Sequence, residues 1–283
     1  MTLDPVVALL VLAAAVMHAS WNALVKSAAD KVVMQALVML VSGVPALALL
    51  PFLPLPAPES WPFLVTSLLL HGIYYVTLAN AYRLGDLSQV YPIARGASPI
   101  MIALGAWAFA GEALRPLELV GVGVVSLGIM SLATPGRVAR DGETRAIGFA
   151  LATSVTIALY SIADGMGVRR AGEPLAYVAW LLALDGPPLL LVTLWLRRGR
   201  IAASFGAQLG RGIVGGLIAG LGYGIVIWAM AHAPIAHVSA LRETSVILAA
   251  VIGTLLLGEP FGRRRVAAAA LVAAGSVILQ VAA

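Results

Sequence analysis

Runs of about twenty apolar residues follow one another along this chain with almost nothing between them, and that pattern restricts the fold more than any motif does. A helix rising 1.5 Å per residue needs about twenty such residues to cross a hydrocarbon layer of about 30 Å. Ten runs meet that length, near 5–26, 32–53, 62–82, 87–109, 117–133, 146–168, 174–196, 212–231, 235–257 and 265–282. Hydrophobic residues make up 61% of the 283 and charged residues 11%, against about 45–50% and 25% in soluble domains. The expected fold class is therefore all-α integral membrane, with ten transmembrane helices and the lipid bilayer as solvent.

The chain has no cysteine, so disulfides, thiolate metal sites and cysteine nucleophiles are excluded. The net charge of +5 reads as the orientation signal of cytoplasmic loops and not as a nucleic-acid surface. No Lys or Arg precedes the first run, so it lacks the charged leader of a secretory signal and is expected to remain as the first helix.

The two halves repeat. Gly111-Glu112, Gly121 and Gly128 recur 147 positions later as Gly258-Glu259, Ala268 and Gly275, and the same offset carries Arg95 onto Arg242 and Ser98 onto Ser245. Ser42-Gly43-Val44-Pro45 recurs 143 positions later as Asp185-Gly186-Pro187-Pro188. We divide the chain into a first five-helix repeat over 1–136, a connection over 137–145 and a second repeat over 146–283. Five is odd, so the second repeat enters the membrane in the opposite sense, which makes the fold two inverted five-helix repeats. Lys and Arg number thirteen in the odd-numbered connections and three in the even-numbered ones. That bias predicts odd connections in the cytoplasm and both termini periplasmic or extracellular.

With Gly111-Glu112-Ala113-Leu114, Gly121 and Gly128, their copy Gly258-Glu259-Pro260 with Gly275, and the doubled spacing, the whole chain resembles the drug/metabolite transporter superfamily, in particular its EamA-type ten-helix permeases. The resemblance implies a multi-pass inner-membrane permease that moves small organic solutes, commonly outward, with no cofactor. The four-helix multidrug relatives exchange protons at a glutamate in their first helix. Here the first span offers His18, Trp21 and Asn22 and no acid, so that scheme does not carry over.

Ionisable residues inside a span are costly and usually face a bundle interior or a wet cavity. Arg95 and Arg242 lie roughly 10–12 Å deep by helical rise, so each either contacts substrate or bonds an internal carbonyl or carboxylate. Tyr91, Arg95 and Ser98 share one helix face, as do Ser239, Arg242 and Ser245. Glu243 points about 100° away from its neighbour Arg242, so each needs another counter-ion, with Asp185 a candidate. Asp185, Glu243 and Asp164 form the expected internal ion-pair or coupling set. His18, Trp21 and Asn22 on the first span, and His71, Tyr74 and Tyr75 on the third, form polar-aromatic stripes. Tyr160 and Tyr223 add aromatics from the sixth and eighth spans. Each histidine either accepts a coupled proton or bonds a carbonyl between helices. His232 and His237 flank Pro234 and are placed at the interface. Gly43 with Pro45, and Gly186 with Pro187, are expected as matched helix breaks, either at a transport site or as packing kinks. Glu112 and Glu259 are expected to oppose the dipole of the helix that follows each.

These residues predict a secondary-active transporter, an exporter of a small anionic or zwitterionic metabolite such as an amino acid or related carboxylate or phosphonate. Its partners would be that substrate and the bilayer, without nucleic acid or metal, and the chain would act as a monomer or homodimer. The alternatives are a carrier of lipid intermediates or nucleotide sugars and, less favoured, an intramembrane enzyme. HExxH, GxSxG and Walker spacings are absent from the sequence, which argues against zincin, hydrolase and ATPase chemistry.

Overall fold

The computed structural model describes residues 4–85, 87–133, 140–198, 201–257 and 262–282. The second repeat's Gly258-Glu259-Pro260, and residues 137–139 of the expected connection, lie outside them. The described residues form eleven α-helices and no strand: α1 Pro5–Lys26, α2 Lys31–Leu49, α3 Trp61–Leu84, α4 Leu87–Ala110, α5 Pro116–Met130, α6 Arg140–Val168, α7 Pro174–Leu196, α8 Ala202–His232, α9 Ile235–Arg242, α10 Ser245–Leu257 and α11 Arg263–Ala282. Among these residues eight helical segments are long and apolar enough to cross a membrane, while α5 is shorter. Local chemistry sets several starts. The Asp4 carboxylate accepts from the amides of Val6 and Val7, and Asp30 caps α2 in the same way, each satisfying donors that a first turn leaves unpaired.

Two expectations are corrected. The expected ninth span is divided between α9 and α10 by a tight turn, in which the Glu243 amide bonds Ala240 O and the Thr244 amide bonds Leu241 O, both at 3.1 Å. The expected breaks at Gly43/Pro45 and Gly186/Pro187 are absent, because α2 and α7 continue through them. Those glycines serve close approach instead. A Cβ on Gly43 would stand 2.6 Å from the carbonyl oxygen of Leu182 in α7, and one on Gly186 would stand 2.6 Å from that of Met39 in α2. Backbone thus meets backbone, each helix offering the other its glycine. The same exchange joins α5 and α11, where Gly121 faces the carbonyl of Gly275 and Gly275 that of Gly121.

Neighbour relations follow that reciprocity. α3 packs on α6 as α8 packs on α1, and α2 pairs with α7 as α5 does with α11. The repeats interleave instead of standing apart, so the space between them is walled by both.

Gly186→Ala is therefore expected to lower the thermal unfolding midpoint of detergent-purified protein, since overpacking costs about 1–3 kcal/mol. Gly72, with open space around its Cβ position, supplies the control: Gly72→Ala is expected to hold or raise the midpoint by about 0.5–1 kcal/mol of helix propensity.

Candidate functional site

A cavity open to one side lies between the repeats. Its walls come from the C-terminal half of α1, the N-terminal halves of α2 and α4, the middle of α3, α7 and α8, Tyr160 of α6 and the end of α9. His18, Trp21 and Asn22 form one side, and His71, Tyr74 and Tyr75 another. Tyr91 and Arg95 of α4, Tyr160, Asp185, Tyr223 and Arg242 complete the polar lining.

Buried at one side is a charged triad. Arg95 Nη2 donates to both oxygens of Glu243, at 2.7 and 2.9 Å, and Arg242 Nη2 lies 3.6 Å from the same carboxylate. Arg95, Arg242 and Glu243 are 5%, 4% and 1% exposed. Glu243, expected to need a counter-ion other than its neighbour Arg242, is hydrogen-bonded to Arg95, while Arg242 stands at ion-pair distance without a hydrogen bond to it. One carboxylate thus stands within ion-pair distance of both arginines. Nε and Nη2 of Arg242 have no hydrogen-bond partner among the described residues. Pro99 within α4 has no N–H to give the carbonyl of Arg95, and that carbonyl accepts instead from the Ser98 hydroxyl at 2.9 Å.

Asp185, expected as an arginine partner, faces elsewhere: Tyr75 Oη donates to it at 3.4 Å, and His71 Nδ1 is 3.6 Å away. The His71 ring stacks on Tyr160 with centroids 4.3 Å apart. Its Nε2 lies 3.3 Å from Tyr223 Oη, which donates at 2.7 Å to Asp164. Asp164 sits behind the wall and also accepts from Tyr177 at 3.3 Å. Asn22 donates back to His18 O at 2.7 Å within α1.

Gln35 and Ser42 of α2 also line the cavity. Gln35 was findable as a lone amide in an apolar run. Tyr177 gave no such signal, since its link to Asp164 crosses between helices. His237, expected at the interface, is buried 3.5 Å from Glu118, whereas His232 is exposed and bonds Trp228 O.

A second polar cluster joins the end of α6 to α8 and α9. Arg169, just past α6, donates to the carbonyls of Met230 and Ala233 at 2.8 Å and pairs with Glu112 at 2.6 Å. Glu112 in turn accepts from the Ile235 amide at 2.8 Å. It therefore caps α9, in the other half of the chain, and not the helix that follows it; α5 has its own acid, Glu118, bonded to the Arg115 amide. Glu259 lies outside the described residues. Among the described residues no group of three His, Asp or Glu is arranged to hold a metal ion.

The profile of the family described as the EamA-like transporter family matches this chain twice, over residues 6–134 and 144–281. A solved crystal structure of a protein 20% identical to it superposes with a TM-score of 0.78, covering 98% of this chain and 99% of that one. That similarity concerns the fold. No curated protein sequence matches the chain.

Proposed function

The chain belongs to the EamA-like transporter family, and from that premise we propose that it is a secondary-active exporter of a small metabolite bearing a carboxylate or phosphonate, amino acids and their relatives included. The observation that carries this reading is Arg242, buried at the cavity wall with no hydrogen bond to Nε or Nη2 among the described residues. A guanidinium presents a planar fork to such oxygens, and a buried donor without a partner is costly enough to favour a ligand that supplies one. Trp21, Tyr74, Tyr91 and Tyr160 offer faces and hydroxyls to the rest of the molecule.

In this reading the ten spans form two inverted repeats in the inner membrane, with both termini periplasmic. The exchanged helix contacts and reciprocal glycines support it. The cavity then faces the cytoplasm, on the side of the Lys/Arg-rich connections, and the Arg169–Glu112 end faces out. Rocking of one repeat on the other would close the first and open the second.

The test is counterflow in proteoliposomes with a panel of labelled amino acids, dicarboxylates and phosphonates. At least one anionic or zwitterionic solute is expected to exchange, and Arg242→Ala is expected to abolish that exchange while the protein still inserts. The Arg95–Glu243 pair remains in this variant to balance itself. Exchange unchanged in Arg242→Ala would remove the arginine from the site. Competition by lipid-linked or nucleotide-linked sugars alone would favour a carrier of those molecules.

A further inference from the structure

From the cavity wall inward to Asp164, four side chains from four helices make a line whose hydrogen count does not close. Asp185 of α7 lies 3.6 Å from His71 Nδ1, His71 Nε2 lies 3.3 Å from Tyr223 Oη, and Tyr223 Oη lies 2.7 Å from Asp164 of α6. The last two separations are within hydrogen-bond reach, and the first, at 3.6 Å, is an ion-pair distance that a protonated imidazole would use. Neutral imidazole carries one N–H and tyrosine one O–H, so two protons serve three separations. His71 Nδ1 is buried with no hydrogen-bond partner among the described residues, and the Asp185 carboxylate stands 3.6 Å from it.

The charges agree with this count. Around the cavity, among the described residues, the guanidinium groups of Arg95 and Arg242 stand against the carboxylates of Glu243, Asp164 and Asp185. By net count one negative charge is in excess, and both arginines stand at Glu243, in a setting where uncompensated charge is expensive. A single added proton serves the remaining separation and removes that charge. The other titratable groups around His71 are Tyr74 and Tyr75 on its own helix, Tyr160 on α6 and Tyr223 on α8. His18 lines the same cavity, and Tyr177 of α7 reaches the line only through Asp164. No Lys or Arg lies within ion-pair distance of Asp164 or Asp185 among the described residues.

We propose that the Asp185–His71–Tyr223–Asp164 line is a proton-binding site, taking up one proton that is passed between the cavity-facing Asp185 and the enclosed Asp164, and that this proton is the coupling ion of transport. The coupling half rests on the exporter reading above. The proton enters from water at Asp185 and is held by His71, and Tyr223 relays it by giving its own hydrogen to Asp164 while accepting one from Nε2. No bond other than these O–H and N–H bonds changes.

Two measurements test it. The chain has four histidines, so ring-¹⁵N-histidine labelling of detergent-purified protein gives few signals, and His71 is identified by its loss in His71→Gln. The His71 ring is expected to gain a second proton on acidification. A ring that keeps one proton throughout overturns the site. In proteoliposomes made acidic inside, uptake of a ¹⁴C-labelled mixture of the common amino acids is expected to rise, toward about tenfold accumulation per pH unit for one-for-one exchange. In Asp164→Asn and Tyr223→Phe the ratio of driven to undriven uptake is expected to fall to no stimulation, whatever happens to the absolute rate. Stimulation surviving in both variants overturns the coupling. If the mixture does not enter even with wild-type protein, the amino acid reading fails, and the ring signal alone decides the proton site.

Discussion

Glu243→Ala is expected to leave almost no folded protein. Removing one partner of a buried ion pair costs about 3–5 kcal/mol, because the remaining charge is stranded, and here two guanidinium groups lose their shared carboxylate. Against a total stability of about 5–15 kcal/mol, that is enough to empty the membrane fraction. The same reasoning ranks the arginines. Arg95→Ala strands Glu243 with an arginine 3.6 Å away in place of one at 2.7 Å and is expected to reduce yield strongly, whereas Arg242→Ala preserves the closer pair. Monodispersity on size exclusion and the thermal midpoint give the order: wild type, Arg242→Ala, Arg95→Ala, Glu243→Ala. A Glu243→Ala protein as stable as wild type would refute the assignment of Glu243 as their common counter-ion.

The second large effect is expected at the Arg169–Glu112 cluster. Arg169→Ala removes the Glu112 ion pair and two bonds to the last carbonyls of the α8 end, each charge-assisted bond worth about 1.5–3 kcal/mol. Even one of these, if lost only from the closed form, shifts the population by about tenfold or more. The absence of cysteine makes this measurable without knowing the substrate. A single cysteine at Ala106, fully buried within the apolar packing of α4, is expected to react with an impermeant thiol reagent at least tenfold faster in Arg169→Ala than in its parent. Glu112→Gln keeps an oxygen for the Ile235 amide and loses only the charge, so its effect should be intermediate. Arg170→Ala should have none, since Arg170 bonds a carbonyl of its own helix and covers the Phe63 ring. Equal labelling in all four proteins would show that this cluster does not hold the end closed.

How far the sequence could be read depended on whether a relation ran along a helix or between helices. His18, Trp21 and Asn22, or His71, Tyr74 and Tyr75, reach one cavity together because helical spacing is visible in one dimension. The repeat offset gave Arg95 and Arg242 equivalent positions in the two halves. Partners were another matter. Helical angles made Glu243 a poor neighbour of Arg242, and its bonded partner, Arg95, lies 148 positions away on another helix. Gly43 and Gly186 carry a breaker's composition, yet their role is to admit a crossing helix, which depends on what lies opposite. Glu112 acts across 123 positions on Ile235, a pairing that no local pattern encodes.

The turn at Glu243 has one more consequence. Arg95 and Arg242 occupy equivalent places in the two halves, but at the same offset the counterpart of Glu243 is Gly96, which has no side chain and packs against Met130. The scaffold repeats and its charge does not. Exchanging the roles of the halves, as a half-cycle of rocking does, would therefore not return the same electrostatic arrangement. Under the proposed cycle the carboxylate would travel with the second half only, so the two end states would differ in energy and one side would be favoured at rest.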